Sequence, residues 1–190
     1  MVNKWETVEL QVENAYARVT WSHKIQEKQA DIYQREYKLL RITDIAASAM
    51  TAAGIMTVLF VDQTWIKLVS AIVSFASVFI SLYLNYFDLS KLTKLHKETA
   101  NQLLAIRNKI EILLTEIRIE NRSSQEIIDD YKKTIETLND IYKNAPQTTD
   151  KAEKLARNAL NEKRDNSFSE DELNTILPGG LKRSKNELDG

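Results

Sequence analysis

Hydrophobic and polar positions along this chain are segregated, not interleaved. From Leu68 to Phe87 twenty residues pass without an Asp, Glu, Lys or Arg, and seventeen more uncharged residues, Ile45 to Val61, lie just upstream. Only Asp62 to Lys67 separates the two runs. At about 1.5 Å rise per residue the second run reaches roughly 30 Å, the thickness of a bilayer's hydrocarbon core. The first reaches about 25 Å, and nearer 30 Å if it starts at Ile42 and carries Asp44 inside it. Two such runs with so short a connection predict a helical hairpin across a membrane. The alternative, a pair of buried helices in a soluble bundle, would spread apolar stripes over every helix. Here the apolar residues are concentrated in one place.

The flanking segments read as helix too, because Gly54 is the only Gly or Pro in the first 140 residues. One helix is expected from about Arg18 to Phe60 and a returning one from about Trp65 to Arg118. Leu92, Thr99, Leu103, Ile106, Ile110, Leu113 and Ile117 alternate steps of three and four after Thr99, a heptad-like seam that must pack on another helix. Ile25, Ile32 and Leu39, seven apart on the incoming arm, fit as its partner, and so does a second subunit. Ser123 with Glu126 forms a capping-box pattern that opens a second helical module. Pro146 ends its first helix, a further helix is expected from Thr149 to about Lys163, and Ser169 with Glu172 repeats the capping pattern.

The expected organisation is all-α. It comprises a cytosolic N-terminal helix (1–41), transmembrane helices at 42–61 and 68–87, a short outer loop (62–67) and a cytosolic stalk (88–121). A C-terminal helical module (122–177) and a flexible tail (178–190) complete it.

Charge decides topology before it says anything about chemistry. Lys24, Lys28, Arg35, Lys38 and Arg41 precede the first span, and Lys91, Lys94, Lys97 and Arg107 follow the second, whereas the connection holds only Lys67. Nine cations against one place both termini in the cytosol by the positive-inside rule. Trp65, Tyr83, Tyr86 and Phe87 suit interfacial depths. A cleavable signal peptide is not expected behind so long a charged arm. The net charge of −1 gives no field to draw in nucleic acid, and the absence of cysteine excludes a disulfide framework or a thiolate site. The mean hydropathy of −0.37 is that of a soluble protein only because charged residues dominate outside the hairpin.

Within the spans, Ser70, Ser74, Ser77, Ser81 and Asn85 follow steps of four, three, four and four, one face of a helix, and Asp88 continues it. Small hydroxylated residues on one face mean either close helix–helix packing or the wall of a water-filled pore. Asp44, Ser48 and Thr51 share a face of the first span. Asp44 lies one turn from the boundary, so its carboxylate is expected to snorkel to the interface; a ring of such aspartates facing a pore would favour cations. One hairpin cannot enclose a channel, so conduction requires several chains, joined through stalk positions such as Leu103, Ile106, Ile110 and Leu113. His23 and His96 lie far apart in sequence without metal-ligand spacing, and no phosphate loop or nucleophile elbow occurs. Enzyme activity, a metal and a cofactor are therefore not expected.

The arm reads Trp21-x-His23-Lys24-x-x-x-Lys28-x-Ala30-x-x-Tyr33. This motif, the tight hairpin, the long stalk and the segment from Thr148 to Leu177 resemble the SLATT family, the SMODS and SLOG-associating two-transmembrane effectors. The resemblance implies a bacterial anti-phage effector of the inner membrane. It would be triggered by a separate sensor or signal generator, such as a nucleotidyltransferase, a SLOG protein or a reverse transcriptase. Once triggered, it would assemble a pore in an abortive infection response. A non-conducting membrane scaffold that recruits a cytosolic enzyme is the rival reading. Trp21, His23, Lys24, Lys28 and Tyr33 carry the resemblance, and an inter-helix cluster at the cytosolic base is their simplest role.

Overall fold

With no proline before Pro146 and a single glycine before it, nothing breaks a helix in the first third of the chain. The computed structural model describes residues 4–60, 63–120, 122–165 and 167–178, and in it helix α1 runs unbroken from Lys4 to Phe60. Its 57 residues reach roughly 85 Å at 1.5 Å each, far beyond a bilayer's thickness, so the same rod forms both the polar arm and the first apolar span. It begins well before Arg18, the expected start, because Val8, Val12, Ala15 and Val19 give its first turns a face to bury.

The chain then returns, but not as one helix. Helix α2 (Thr64–Phe87) and helix α3 (Leu89–Ile119) are separated at Asp88, which adopts left-handed angles of φ 39° and ψ 56°. Aspartate tolerates that conformation better than most residues because its short carboxylate bonds locally. Here it accepts the Lys91 backbone N–H at 3.1 Å and caps the first turn of α3. The expected continuous helix from Trp65 to Arg118 is therefore two helices with a joint at the inner end of the hairpin.

The apolar hairpin and the polar bundle are held together differently. Helix α2 lies along the membrane half of α1 and α3 along its arm. The core of the bundle outside the hairpin joins Val12, Ala15 and Val19 of α1 to Leu103, Ile106, Ile110, Leu113 and Ile117 of α3. Ile127 and Leu138 of helix α4 (Ser124–Asn144) complete it. The stalk seam thus packs on the incoming arm, but on a different face from the one expected. Ile25 and Ile32 are only half-buried and Leu39 is 65% exposed. Further along the arm, the face turned to α3 carries polar residues, with Gln26 bonded to His96, so the conspicuous aliphatic ridge points elsewhere. Arg118 ties the far ends together through Glu9 and Glu13 at 3.0 and 2.9 Å.

Both capping boxes form, Ser123 with Glu126 opening α4 and Ser169 with Glu172 opening helix α6 (Glu170–Ile176). Helix α4 shares the core of α1 and α3, and helix α5 (Asp150–Asn161), capped by Thr149, lays Ala152, Ala156 and Ala159 against α1. Val61 of the expected first span, Asp62 of the expected loop and residues 179–190 of the expected tail lie outside the described residues.

The hairpin's outer surface is apolar and bare. Ile45, Ile72, Phe75, Phe79 and Leu82 are each more than 60% exposed. A soluble bundle would bury such residues, and an exposed apolar belt of this extent marks a surface made for lipid.

Candidate functional site

A polar seam runs down the inside of the hairpin, where the serine stripe of α2 meets α1. Its centre is Asp44, which is 9% exposed and does not snorkel. One oxygen of its carboxylate accepts hydrogen bonds from the hydroxyls of Ser77 and Ser81, each at 3.0 Å. Its other oxygen lies 3.9 Å from a guanidinium nitrogen of Arg41. The expected route to the interface is not taken because two hydroxyls, one turn apart on the neighbouring helix, offer closer donors than the headgroup region would. Ser48 continues the seam with its hydroxyl 3.2 Å from that of Ser77.

Close approach of the two backbones makes this possible. Ala47 is buried at the crossing, and a Cβ placed on Gly54 would overlap the Ser70 hydroxyl. A side chain at position 54 therefore makes the Ser70 hydroxyl turn aside and still leaves its Cβ 3.2 Å from that of Ser70, whereas small residues let the serines reach across. Thr51 returns its hydroxyl to the Ala47 carbonyl at 2.9 Å and needs no partner on α2. Ser74 and Ser77 are half-buried in the seam, while Asn85 is exposed at the inner mouth. The hairpin interface thus gathers Asp44, Ser74, Ser77 and Ser81, and leaves Asn85 outside it.

A second polar cluster lies where arm, stalk and C-terminal helices meet, and it contains the Trp21 to Tyr33 motif. Lys24 is buried and reaches Glu27 at 2.8 Å and Asp165 at 3.5 Å. Lys28 pairs with Asp31, Tyr33 tilts against the His96 ring, and Trp21 is half-buried beside them in sequence. His96 donates from Nδ1 to the Gln26 side-chain carbonyl, and the Gln26 amide donates to the Pro146 carbonyl at 3.1 Å. Gln29, almost wholly buried, accepts from both the backbone and the hydroxyl of Thr149. Gln26 and Gln29 therefore fix the connection between α4 and α5 to the arm. Sequence reading missed them, because their partners are backbone groups 120 residues away. Thr20 Oγ1, His23 Nδ1 and Arg107 Nε are buried without a hydrogen-bond partner among the described residues. Leu103, Ile106, Ile110 and Leu113 are buried within the single chain and offer no free face to a second one.

Burial holds the pKa of His23 below its ordinary value of 6.5, opposed by the charge of Glu27 and helped by Arg107 and Lys24. Burial lowers that of His96 too. The unfolded chain, whose histidines titrate normally, then takes up protons before the folded bundle does. Stability from these groups is fully present above pH 6.5 and declines as the pH falls below it. The thermal midpoint of the arm–stalk bundle, followed by circular dichroism in detergent, is expected to drop by several degrees between pH 7.5 and 5.5. His96→Gln, which retains a hydrogen-bonding group facing Gln26, should flatten that dependence; an unchanged slope would remove His96 as its source.

Among known proteins, the chain matches the SMODS and SLOG-associating 2TM effector domain, family 4, over residues 8–172. No curated protein and no solved structure matches it.

Proposed function

Because this chain belongs to the family of SMODS and SLOG-associating two-transmembrane effector domains, we propose that it is the membrane effector of a bacterial anti-phage system. On a signal from a separate sensor or signal generator, several copies assemble in the inner membrane and make it leak, sacrificing or arresting the infected cell. Both termini face the cytosol, where the arm, stalk and C-terminal helices receive the signal.

The observation that carries this reading is the carboxylate of Asp44 held inside the hairpin by Ser77 and Ser81. An ionisable group within a membrane-spanning pair is costly and by default functional. In the resting arrangement the seam is closed on itself and carries no ions. Rotation of α2 about its axis would turn Ser74, Ser77 and Ser81 from α1 toward a lumen shared with neighbouring subunits. Asp44 would then lie exposed as one of a ring of acids, with Asn85 at the mouth, an arrangement that favours cations. The stalk positions Leu103, Ile106, Ile110 and Leu113 hold arm to stalk, so contacts between copies fall to exposed faces, including Ile112 and Ile119.

Purified protein in liposomes is expected to release a trapped dye once assembled. Ser74→Leu, Ser77→Leu and Ser81→Leu together should bring release down to that of empty liposomes; unchanged release would remove the stripe from the mechanism. Expression of the chain should dissipate the membrane potential. A chain that inserts and folds yet leaves the potential intact would instead be a scaffold that recruits a cytosolic enzyme or sensor.

A further inference from the structure

Helices α1 and α5 do not close on each other along their whole length. Between them lies a groove of about 740 Å³, within the size range of small-molecule sites. Its apolar wall is formed by Ile32, Leu39 and Leu155, and its basic residues include Arg35, Lys151 and Lys163. We infer that this groove binds an anionic phospholipid from the leaflet that borders the stalk.

Charge is the first argument. The groove also holds acids, but each is occupied. Asp31 pairs with Lys28, Asp165 pairs with Lys24, and Glu36 accepts the Tyr83 hydroxyl at 2.9 Å. Arg35, Lys151 and Lys163 are exposed and have no ion-pair partner among the described residues. Two of the three acids are thus offset by lysines, and Glu36, which keeps its charge, is turned to Tyr83; three uncommitted cations outnumber it and make a site for an anion, phosphate above all.

Depth is the second argument. The bond from Tyr83 to Glu36 ties one wall of the groove to the inner end of α2, where Tyr83, Tyr86 and Phe87 cluster at interfacial height. The groove therefore opens at the level of the headgroups. Shape is the third. Leu39 in the groove is followed on α1 by Ile42 and Ile45, which are 56% and 66% exposed, an apolar track that leads from the cations into the bilayer. A phosphate at the basic rim would place its acyl chains along that track. No aromatic ring lines the groove, so a nucleotide base would have nothing to stack on. Basic pockets at the cytosolic ends of membrane helices are an established way of holding acidic lipids.

The inference rests on the hairpin lying in a bilayer with the arm at one face; permeabilisation is not required. The test uses the full chain in neutral detergent, with dioleoyl phosphatidylglycerol, dioleoyl phosphatidylcholine and sodium phosphate as probes. Bound lipid is counted by native mass spectrometry and the thermal midpoint is followed in parallel. Each basic residue near a charged surface contributes about fivefold in affinity, so phosphatidylglycerol is expected to bind on the order of a hundredfold tighter than phosphatidylcholine. The combined variant Arg35→Gln, Lys151→Gln, Lys163→Gln should lose that preference while keeping its helicity, since all three side chains are exposed. Leu39→Asp, which leaves the three cations in place, should also weaken binding.

Equal affinity for the two lipids would overturn the site, as would a preference that survives the triple variant. Sodium phosphate that stabilises as much as phosphatidylglycerol would show an ion site and not a lipid site. If the protein stays in solution without detergent, the bilayer reading fails and the site with it. If detergent is needed and no preference appears, the site alone fails.

Discussion

Protein carrying Ser48→Cys and Ser77→Cys should stop leaking when oxidised and leak again when reduced. The two hydroxyls lie 3.2 Å apart across the hairpin, so thiols in their place are within reach of a disulfide after a small adjustment. The chain has no cysteine of its own, so within one chain no other disulfide can form, and a crosslink between copies would show as a dimer on a non-reducing gel. The crosslink holds the serine stripe against α1, and if the stripe has to leave α1 to line a conducting path, the open arrangement becomes inaccessible. Dye release from liposomes is expected to fall to the protein-free level under oxidation and to recover fully with dithiothreitol, while Ser48→Cys alone responds to neither. Equal release from oxidised and reduced protein would mean that the seam stays shut during permeabilisation, and the conducting path would have to be sought on another face.

Asp44→Leu should make the hairpin more stable and the effector inactive. Its carboxylate is kept from water by α2, and an acid within a membrane helix costs ~2.5–3.5 kcal/mol at the bilayer centre and less toward the edge. Replacing it with leucine removes that cost, and Ser77 and Ser81 can then turn their hydroxyls to backbone carbonyls one turn back on their own helix. The converse variant, Ser77→Ala with Ser81→Ala, leaves the carboxylate with Arg41 alone at 3.9 Å. Hydrogen bonds to a charged group are worth ~1.5–3 kcal/mol each, so losing both should destabilise the hairpin by about 2–4 kcal/mol after relaxation. Denaturant titration in mixed micelles separates the two variants, and liposome leakage reports their activity. A less stable Asp44→Leu hairpin would make Asp44 a structural tie and not a group retained for function at the expense of stability.

The membrane hairpin was legible because charge is easy to see by its absence, and the capping boxes because Ser123 with Glu126 and Ser169 with Glu172 satisfy orphan amides within one turn. What depended on partners far along the chain was not. The place of Asp44 is set by hydroxyls 33 and 37 residues away, and local sequence gives only its nearness to the span boundary. Ile25, Ile32 and Leu39 looked like the arm's packing face because they are large and seven apart. The true face uses Val12, Ala15 and Val19, smaller residues interspersed with Glu9, Glu13 and Arg18, whose apolar signal is diluted by charge. Asp88 read as one more polar residue on a helical face because a single left-handed residue leaves no periodicity to detect. The buried glutamines were missed because side-chain amides that seek backbone groups have no sequence signature of their own.

Two paths connect the bundle to the hairpin, and they are built differently. Helix α1 is one rod from Lys4 to Phe60, whereas its companion is articulated at Asp88. Torque applied to the bundle would pass along α1 without a break, whereas on the returning side it would have to cross the one left-handed residue at Asp88. The protein has the build of an axle beside a crank, and the cheapest way to disable it without disturbing either half would be to weld that pivot.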